Sequence, residues 1–360
     1  MCWGEEIREG IESVAASKQV RLKELAESLN LSITTVSRAL GGYSDVSAET
    51  RRRVAEAAAE VGYVPSRIGR MLVSGRSNFV GMVLPVTRGE TMDPFMGEFV
   101  AGLAEGLAGH GRDLVLAAVP PGKSDLDLLR HMVDGLRADA VVLNRLTCDD
   151  PRVGYLAERG VPFVTHGRVL TPGLAYPWLD TDGKGAFVNL ARRLVRLGHR
   201  HFALIGPIQP YSYAHFRRIG FESGLASVGI ALAPKTIATA STGPSGDAVA
   251  VAGRLLDADP RPTALICLTD RLAFAALNAA RQRGLSVPQD LSVIGFDDVP
   301  TAAHASPPLT TFSQRTGDTV VALCAMIETA IEKGNDAVEP QLITPTFIER
   351  ASHGPAPATP

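Results

Sequence analysis

The sequence predicts a small all-α head followed by an α/β core of two doubly wound parallel-sheet lobes. Short helical patterns fill the start of the chain, and beyond Ser77 continuous apolar strand segments alternate with helical ones. Buried strands separated by helices indicate parallel sheets covered on both faces. The core pattern runs for roughly 270 residues, more than one ordinary domain holds, so we expect two lobes.

The composition indicates a soluble globular chain. Of its 360 residues, 45% are hydrophobic and 21% are charged. No apolar run approaches the roughly 20 residues of a membrane span, and no signal-peptide pattern opens the chain. Cys2, Cys148, Cys267 and Cys324 lie far apart, without a second ligand at metal-binding spacing. We therefore expect a cytoplasmic protein with no membrane partner, no metal and no other cofactor.

The net charge of −2 hides an asymmetry between the head and the remainder of the chain. Nine Lys or Arg residues face six Asp or Glu residues between Val20 and Arg76, which leaves a net +3 there. A small basic segment on an acidic body is typical of a module that contacts phosphates locally.

Residues 20–64 carry the pattern of a helix-turn-helix. Apolar residues from Leu22 to Leu29 recur at helical spacing, and Ser32 is placed to cap a second helix, Ile33–Leu40. Two glycines end that helix, and Ser47 can cap a third over 48–61. Three short helices with a tight turn between the first two predict a helix-turn-helix domain.

Three segments lie outside these patterns. Residues 1–19 are expected to be a disordered extension, with a frayed amphipathic helix as the alternative. Residues 65–77 are a short basic linker that is helical only with support, because its glycines make it marginal alone. Residues 351–360 are expected to be a disordered tail.

The core, 78–350, alternates strands and helices. The expected strands are Phe79–Pro85, Leu114–Val119, Ala140–Leu143, Pro162–Thr165, His201–Ile205, Thr263–Cys267 and Leu291–Gly295. The expected helices include Phe95–Gly109, Gly185–Leu197, Ala214–Val228, Asp247–Leu256 and Arg271–Arg283.

Several motifs occur together in one order. The head contains TTVSRAL, VS-x-x-TR-x-x-V and GY-x-P, followed by a basic hinge with a leucine; the core contains LICLTDRLAFAALNAARQRGLSVPQDLSVIGFDD at 265–298 and PPLTTFSQ at 307–314. In this combination the chain resembles the lactose- and galactose-repressor family of transcription regulators from residue 20 to about 350. The segments VTHGRVLTP and YPWLDTDGKGAF resemble regulators of α-glucoside or related sugar utilisation.

The resemblance implies a periplasmic-binding-protein-like core behind the head. Lobe 1 is expected over about 78–180 plus 313–338, and lobe 2 over about 181–312 plus 339–350. It also implies a homodimer that binds double-stranded operator DNA and a small-molecule effector, expected to be a sugar.

Helix-turn-helix proteins lay their second helix in the major groove, with its N-terminal residues against base edges. Ile33 and Thr34 are therefore the expected specificity positions, and Arg38 can make a bidentate contact to guanine. Thr35 and Ser37 suit phosphates, although they could also be ordinary polar helix residues. The expected DNA-contacting residues of the head are Ser32, Ile33, Thr34, Thr35, Ser37 and Arg38.

The linker resembles the family's hinge helix, which inserts a leucine into the minor groove. Leu72 takes that place here, with Arg67 and Arg70 beside the flanking phosphates. Gly69 is counted with this set, although the family prefers a better helix former there. The alternative is that Leu72 is a buried linker residue. A hinge too weak to fold alone needs two copies, so we expect a dimer on a pseudo-palindromic operator.

Two doubly wound lobes bind ligands in the crevice at the carboxyl ends of their strands. Strand-end position and the resemblance select a set rich in groups that pair with sugar hydroxyls. The expected ligand-binding residues are Asp93, Phe95, His166, Arg168, Trp178, Asp180, Arg217, Asp297 and Gln314.

Each of these residues has a structural alternative. Asp297 or Asp298 could only cap a turn, and Arg217 could pair on a helix surface. Thr269 departs from the asparagine frequent in the family, and Asp270 is expected to serve mostly as a helix cap.

Other classes of function remain open. An enzyme is disfavoured because no GxSxG, P-loop or HExxH motif is present. A periplasmic sugar-binding protein would share the core fold, but it would need a signal peptide and no DNA-binding head. A third possibility is a regulator of the same fold that responds to a partner protein or to a non-sugar corepressor. Release of DNA by a sugar, as among the sugar-sensing relatives, is the outcome we expect.

Overall fold

The computed structural model describes residues 22–41, 43, 45–63, 76–84, 93–120, 122–135, 138–243 and 246–358. The chain divides into two compact units between Ser77 and Asn78. The expected extension 1–19 lies outside the described residues. So does most of the expected hinge, with Arg67, Gly69, Arg70 and Leu72. Among the helices of the described chain, none combines the length and apolarity needed to cross a bilayer.

The described residues of the head form three helices, α1 (Leu22–Leu29), α2 (Ile33–Leu40) and α3 (Ala48–Glu60). The Ser32 hydroxyl caps α2 by accepting a 3.0 Å hydrogen bond from the Thr35 N–H, as expected from the sequence. The inner sides of the helices form one apolar core. Its buried members are Leu25, Ala26, Val36, Ala39, Val46, Val54 and Ala58.

The described residues of the second unit form strands and further helices. Its strands are β1 (Phe79–Leu84), β2 (Asp113–Ala118), β3 (Ala140–Leu143), β4 (Phe163–His166), β5 (Trp178–Thr181), β6 (Phe202–Pro207), β7 (Ile237–Ala240), β8 (Ala264–Cys267), β9 (Ser292–Ile294), β10 (Thr311–Ser313), β11 (Gln341–Ile343) and β12 (Thr346–Ile348). Its α-helices are α4 (Pro94–Gly109), α5 (Asp125–Asp134), α6 (Pro151–Arg159), α7 (Gly183–Arg196), α8 (Ser212–Ala226), α9 (Ala248–Leu256), α10 (Asp270–Gln282) and α11 (Thr316–Lys333).

Two parallel sheets define two lobes. The first has the order β11-β5-β4-β3-β1-β2 and the second the order β7-β6-β8-β9, while β10 and β12 form an antiparallel pair. Each sheet is covered on both faces by apolar clusters. In lobe 1, Phe99 on α4 packs against one face and Phe163 belongs to the cluster on the other. The seven expected strands and the five expected helices are confirmed within about two residues at each end.

The chain passes between the lobes three times. It crosses after β5 at Asp182, after β10 at Gln314, and between β11 and β12 at Thr344. These crossovers lie beside the carboxyl ends of the strands, where the two sheets face a common cleft.

Two expectations about the fold of the C-terminal segment differ from the structure. Residues 339–350 were expected in lobe 2, but Gln341–Ile343 pairs with Leu179–Thr181 and extends the first sheet. The tail 351–360 was expected to be disordered, but Ser352 and His353 are buried. The Ser352 carbonyl accepts from the Val293 N–H at 2.7 Å, so this tail provides a hydrogen-bond partner for β9, the edge strand of the second sheet. Such pairings are long-range and leave no local sequence pattern.

Candidate effector cavity and DNA-reading surface

A cavity of about 220 Å³ lies between the two lobes of the core. Residues within three positions after the ends of β3, β6, β8 and β9 line it, which places it at the carboxyl ends of both sheets. Of the nine residues expected to bind a ligand, seven line this cavity: Asp93, Phe95, His166, Asp180, Arg217, Asp297 and Gln314.

A row of polar side chains crosses the cavity from lobe 1 to lobe 2. The Thr181 hydroxyl donates to Gln314 Oε1 at 3.1 Å, and Gln314 Nε2 donates to Asp297 Oδ1 at 2.7 Å. Arg217 Nη1 lies 3.9 Å from that same Asp297 oxygen. The row therefore joins a strand end of each lobe through a crossover residue.

Arg217 is buried in the wall of the cavity, with 4% of its side chain exposed. Its guanidinium lies over the Phe296 ring at 3.6 Å and donates to the Leu268 carbonyl. Burial lowers the pKa of this guanidinium. Its Nε has no hydrogen-bond partner among the described residues. The alternative of a surface ion pair is therefore wrong for Arg217.

Asp297 is held in an unusual backbone conformation at the end of β9. Its φ is 124°, a region that favours glycine, and its N–H donates to the Phe312 carbonyl at 2.9 Å. Burial raises the pKa of the Asp297 carboxyl to about 8, against the opposing effect of Arg217. The neighbouring Asp298 instead pairs with Arg350 at 2.7 Å. The two adjacent carboxylates thus have different surroundings.

The lobe 1 wall is built around Asp93 and His166. Asp93 caps α4 through the Met96 N–H at 2.8 Å, and its other oxygen accepts from Arg145. His166 stacks on Phe99 with ring centroids 5.0 Å apart, and its Nδ1 lies 3.3 Å from Asn144 Nδ2. Burial, and secondarily the charge of Arg217, lowers the pKa of His166 to about 4. Its imidazole is therefore neutral at ordinary pH.

Arg168 and Trp178 are not lining residues of the cavity. Arg168 donates from Nε to Asp180 at 2.8 Å and lies over the Phe216 ring at 4.4 Å and the Trp178 ring at 5.0 Å. Burial raises the pKa of the Asp180 carboxyl, while Arg168 opposes that shift. Arg168 therefore contacts two residues that line the cavity, Asp180 and Phe216, and Trp178 lies against Arg168.

Asp270 does not cap the helix that it begins. The hydroxyl of Thr269 accepts the capping bond from the Leu272 N–H at 3.4 Å. The buried Asp270 carboxylate accepts from the Thr311 hydroxyl at 2.6 Å and from the Val299 N–H at 3.0 Å. The expected capping role of Asp270 is thus wrong. The residue is buried between three chain segments instead.

Sequence reasoning missed several cavity residues. Tyr211, Tyr213 and Phe216 come from the start of α8, and Arg145 and Arg271 follow β3 and β8. The run YSYAHF directly after a strand was the available signal, because aromatic residues at a strand end point to a binding wall.

The head presents its second helix with the expected residues outward. Ile33 is 47% exposed, Thr34 and Arg38 are exposed, and Ser37 is half-buried. The Thr35 hydroxyl lies 2.8 Å from the Ser32 hydroxyl, so both belong to the start of α2. Within the described residues of the head, this side of α2 is exposed, as contact with a DNA groove requires.

Comparisons with known proteins agree for both units. Residues 21–66 match the profile of bacterial regulatory proteins of the lacI family, and residues 191–353 match that of periplasmic binding protein-like domains. The transcriptional regulator AglR of Rhizobium meliloti is 37% identical over 342 residues, which cover 94% of this chain and 95% of that protein.

Two solved structures share the architecture. The transcriptional regulator CelR–cellobiose complex has a TM-score of 0.70 and 29% identity, and the match covers 93% of this chain and 100% of that one. The lac repressor dimer bound to operator and the anti-inducer ONPF has a TM-score of 0.78 and 25% identity, with 93% and 99% covered.

A helix-turn-helix head and a two-lobed core with a cavity at its strand ends together define a DNA-binding transcription regulator with a sensor core. The chain belongs to the LacI family of bacterial regulatory proteins.

Proposed function

We propose that this regulator is a repressor whose operator affinity is changed by a small sugar in the inter-lobe cavity. The observation that carries the proposal is the polar row Thr181–Gln314–Asp297–Arg217 across that cavity. The CelR relative whose structure this chain resembles was solved with cellobiose.

The chemistry of the cavity suits a neutral, hydroxyl-rich ligand. Carboxylates accept and guanidinium groups donate pairs of hydrogen bonds, which matches neighbouring hydroxyls of a sugar ring. Phe95, Tyr213 and Phe216 offer apolar faces against which the C–H surface of a sugar can pack. The volume of about 220 Å³ favours one or two sugar rings over a long chain. The likeness to α-glucoside regulators supports glucosides as the first class to test.

The DNA side of the proposal rests on the head and on the family. Ile33 and Thr34 lie at the exposed start of α2 and would read base edges, while Thr35 and Ser37 would contact phosphates. The hinge roles of Leu72, Arg67, Gly69 and Arg70 stay predictions. The operator-bound dimer of the lac repressor supports a homodimer on a pseudo-palindromic site.

Regulation follows if the sugar has different affinity for two arrangements of the lobes. A ligand shifts an equilibrium only by its differential affinity for the two states. A sugar that replaces the hydrogen bonds of this polar row would change the angle between the two lobes. In a dimer, that change would also alter the spacing of the two hinges. We expect the sugar to favour the form that releases DNA.

The test is fluorescence anisotropy of the full chain on DNA from upstream of its own gene at fixed salt. The titrants are maltose, methyl α-glucoside, cellobiose and ribose. We expect one glucoside to release the DNA at micromolar to millimolar concentration. Asp297→Asn should raise the half-effective concentration by roughly 10-fold, because the substitution replaces a carboxyl oxygen that can bond to a sugar hydroxyl and leaves the facing polar groups mismatched.

The matched control is Asp298→Asn, since Asp298 pairs with Arg350 and is not a lining residue of the cavity. This variant should release DNA at the same half-effective sugar concentration as the wild type. Tight DNA binding that none of these sugars alters would contradict the sugar effector, and a partner protein or non-sugar corepressor would take its place.

A further inference from the structure

The guanidinium of Arg38 is held on two sides within the DNA-binding head. Its Nε donates to Asp45 Oδ1 at 3.2 Å, and its Nη2 lies 2.6 Å from Asp45 Oδ2. The ring of Tyr43 lies against the same group, with its centroid 4.9 Å from Arg38 Cζ. The Asp45 carboxylate thus holds one edge of the guanidinium, and the Tyr43 ring packs against it.

Because Asp45 binds one edge of the Arg38 guanidinium, it determines which N–H groups remain for DNA. A guanidinium carries five N–H groups in a rigid planar fork. The bidentate pair with Asp45 takes the Nε–H and one N–H of Nη2. Among the described residues, no hydrogen-bond acceptor is recorded at the other end, which bears Nη1 and the second N–H of Nη2. Two parallel N–H groups of this kind match the O6 and N7 acceptors of guanine in the major groove.

The fold places Asp45 accurately for this contact. The Tyr43 N–H donates to the Arg38 carbonyl at 3.1 Å, which fixes the chain directly after α2. Val46 is buried in the core of the head, and Ser47 caps α3. Asp45 therefore lies between two residues with fixed positions, Tyr43 and Val46. Its side chain is 55% exposed, and that of Arg38 is 44% exposed.

We propose that Asp45 is a positioning residue for sequence readout, because it holds the open edge of Arg38 toward guanine. The inference rests on the proposed DNA binding and adds a residue to it. An exposed ion pair adds little to stability, and a carboxylate near phosphates weakens binding to any DNA sequence. Asp45 therefore gains the protein neither stability nor overall DNA affinity, and the gain that we infer lies in the choice of base.

The test is selection from a random-sequence duplex library by the full chain, with four proteins compared. These are the wild type, Arg38→Gln, Asp45→Asn and the control Glu49→Gln. Glu49 pairs with Arg52 at 3.1 Å on α3, so the control removes one carboxylate charge from the same head without touching Arg38. The selected site and a copy with its guanine replaced by adenine are then titrated by anisotropy.

The wild type should select one guanine in each half-site and prefer it roughly 10- to 100-fold over adenine. Arg38→Gln should no longer select that guanine. Asp45→Asn should lose most of that preference at the same base pair and keep the others, bringing the ratio to within about threefold of unity. Glu49→Gln should select the wild-type site.

Two results would overturn the inference. In the first, Asp45→Asn keeps the guanine preference of the wild type. In the second, it binds all sequences more tightly by one common factor, so that Asp45 acts only as a charge that repels phosphate. A wild type that selects no sequence at all is a different outcome, because it contradicts the proposed function itself.

Discussion

The side-chain amide of Gln314 donates a 2.7 Å hydrogen bond to the Asp297 carboxylate from a crossover between the two lobes. Its oxygen accepts from the Thr181 hydroxyl, which belongs to lobe 1. A single amide therefore touches the first sheet, the second lobe and the cavity. A ligand that takes over either hydrogen bond changes a contact between the lobes in the same step.

The first prediction concerns coupling through Gln314. Gln314→Leu removes both hydrogen bonds at nearly constant volume. We expect operator affinity without sugar to change little, and the ratio of affinities with and without sugar to move toward unity. Typical coupling between sites is about 1–3 kcal/mol, and most of it should be lost. Anisotropy with and without saturating sugar measures the ratio.

An intact core must accompany that result, which a thermal unfolding scan of Gln314→Leu checks. A variant that still binds sugar with wild-type affinity and releases DNA by the full wild-type ratio would show that coupling runs through the other crossovers.

The second prediction follows from the raised pKa of Asp297. The carboxyl has a pKa of about 8 in the fold, against 3.8 for the free side chain. Between these values the native state binds more protons than the unfolded state, so stability contributed by this group falls as the pH rises. Asp297→Asn removes this dependence. The free energy of unfolding of the variant minus that of the wild type should increase from pH 5 to 8 and level off above.

Urea unfolding of both proteins at several pH values measures this difference. The constant offset caused by replacing a carboxyl with an amide does not affect the slope. A difference that stays flat across the range would mean that Asp297 is ionised throughout.

The third prediction is the tautomer of His166. Asn144 Oδ1 accepts from the Arg145 N–H, so Asn144 Nδ2 faces His166 and can only donate to its Nδ1. With the pKa lowered to about 4, the imidazole should be neutral with its proton on Nε2 between pH 5 and 8. Nitrogen-15 NMR of histidine-labelled protein, with the signal assigned by its loss in His166→Phe, reads the tautomer directly. A signal that titrates near pH 6.5 would contradict it.

The fold could be predicted from the sequence wherever local periodicity and burial coincide. The helix Ile33–Leu40 was expected at its observed bounds because Ser32 and the glycines after it mark both ends. The strand Gln341–Ile343 was not, because it is short, exposed and defined only by its pairing with β5. Edge strands of this kind are specified by tertiary contacts that no window of sequence contains.

The site divides in the same way. Arg217 and Asp297 were expected on the cavity because each follows a recognisable motif, and both line it. Sequence could not separate Asp180, which lines the cavity, from Arg168 and Trp178, which do not, because all three lie within 13 residues, just after β4 or in β5. Which side chain faces the cavity depends on packing against Phe216 from the other lobe.

The last prediction concerns the contact between α7 and α8, the two helices that cover one face of the lobe 2 sheet. A Cβ added at Gly220 would lie 2.3 Å from the backbone carbonyl oxygen of Lys184, which cannot rotate away. Gly220→Ala should therefore separate the helices and destabilise the core by about 1–3 kcal/mol. The matched control is Gly154→Ala within α6, where an added Cβ meets nothing within 4 Å. That change should stabilise by about 0.5–1 kcal/mol, because alanine loses less backbone entropy in a helix. Urea unfolding should thus move the two variants to opposite sides of the wild type. A Gly220→Ala protein as stable as Gly154→Ala would show that α7 and α8 can separate without loss, and that the close approach of the helices is not needed for the packing of lobe 2.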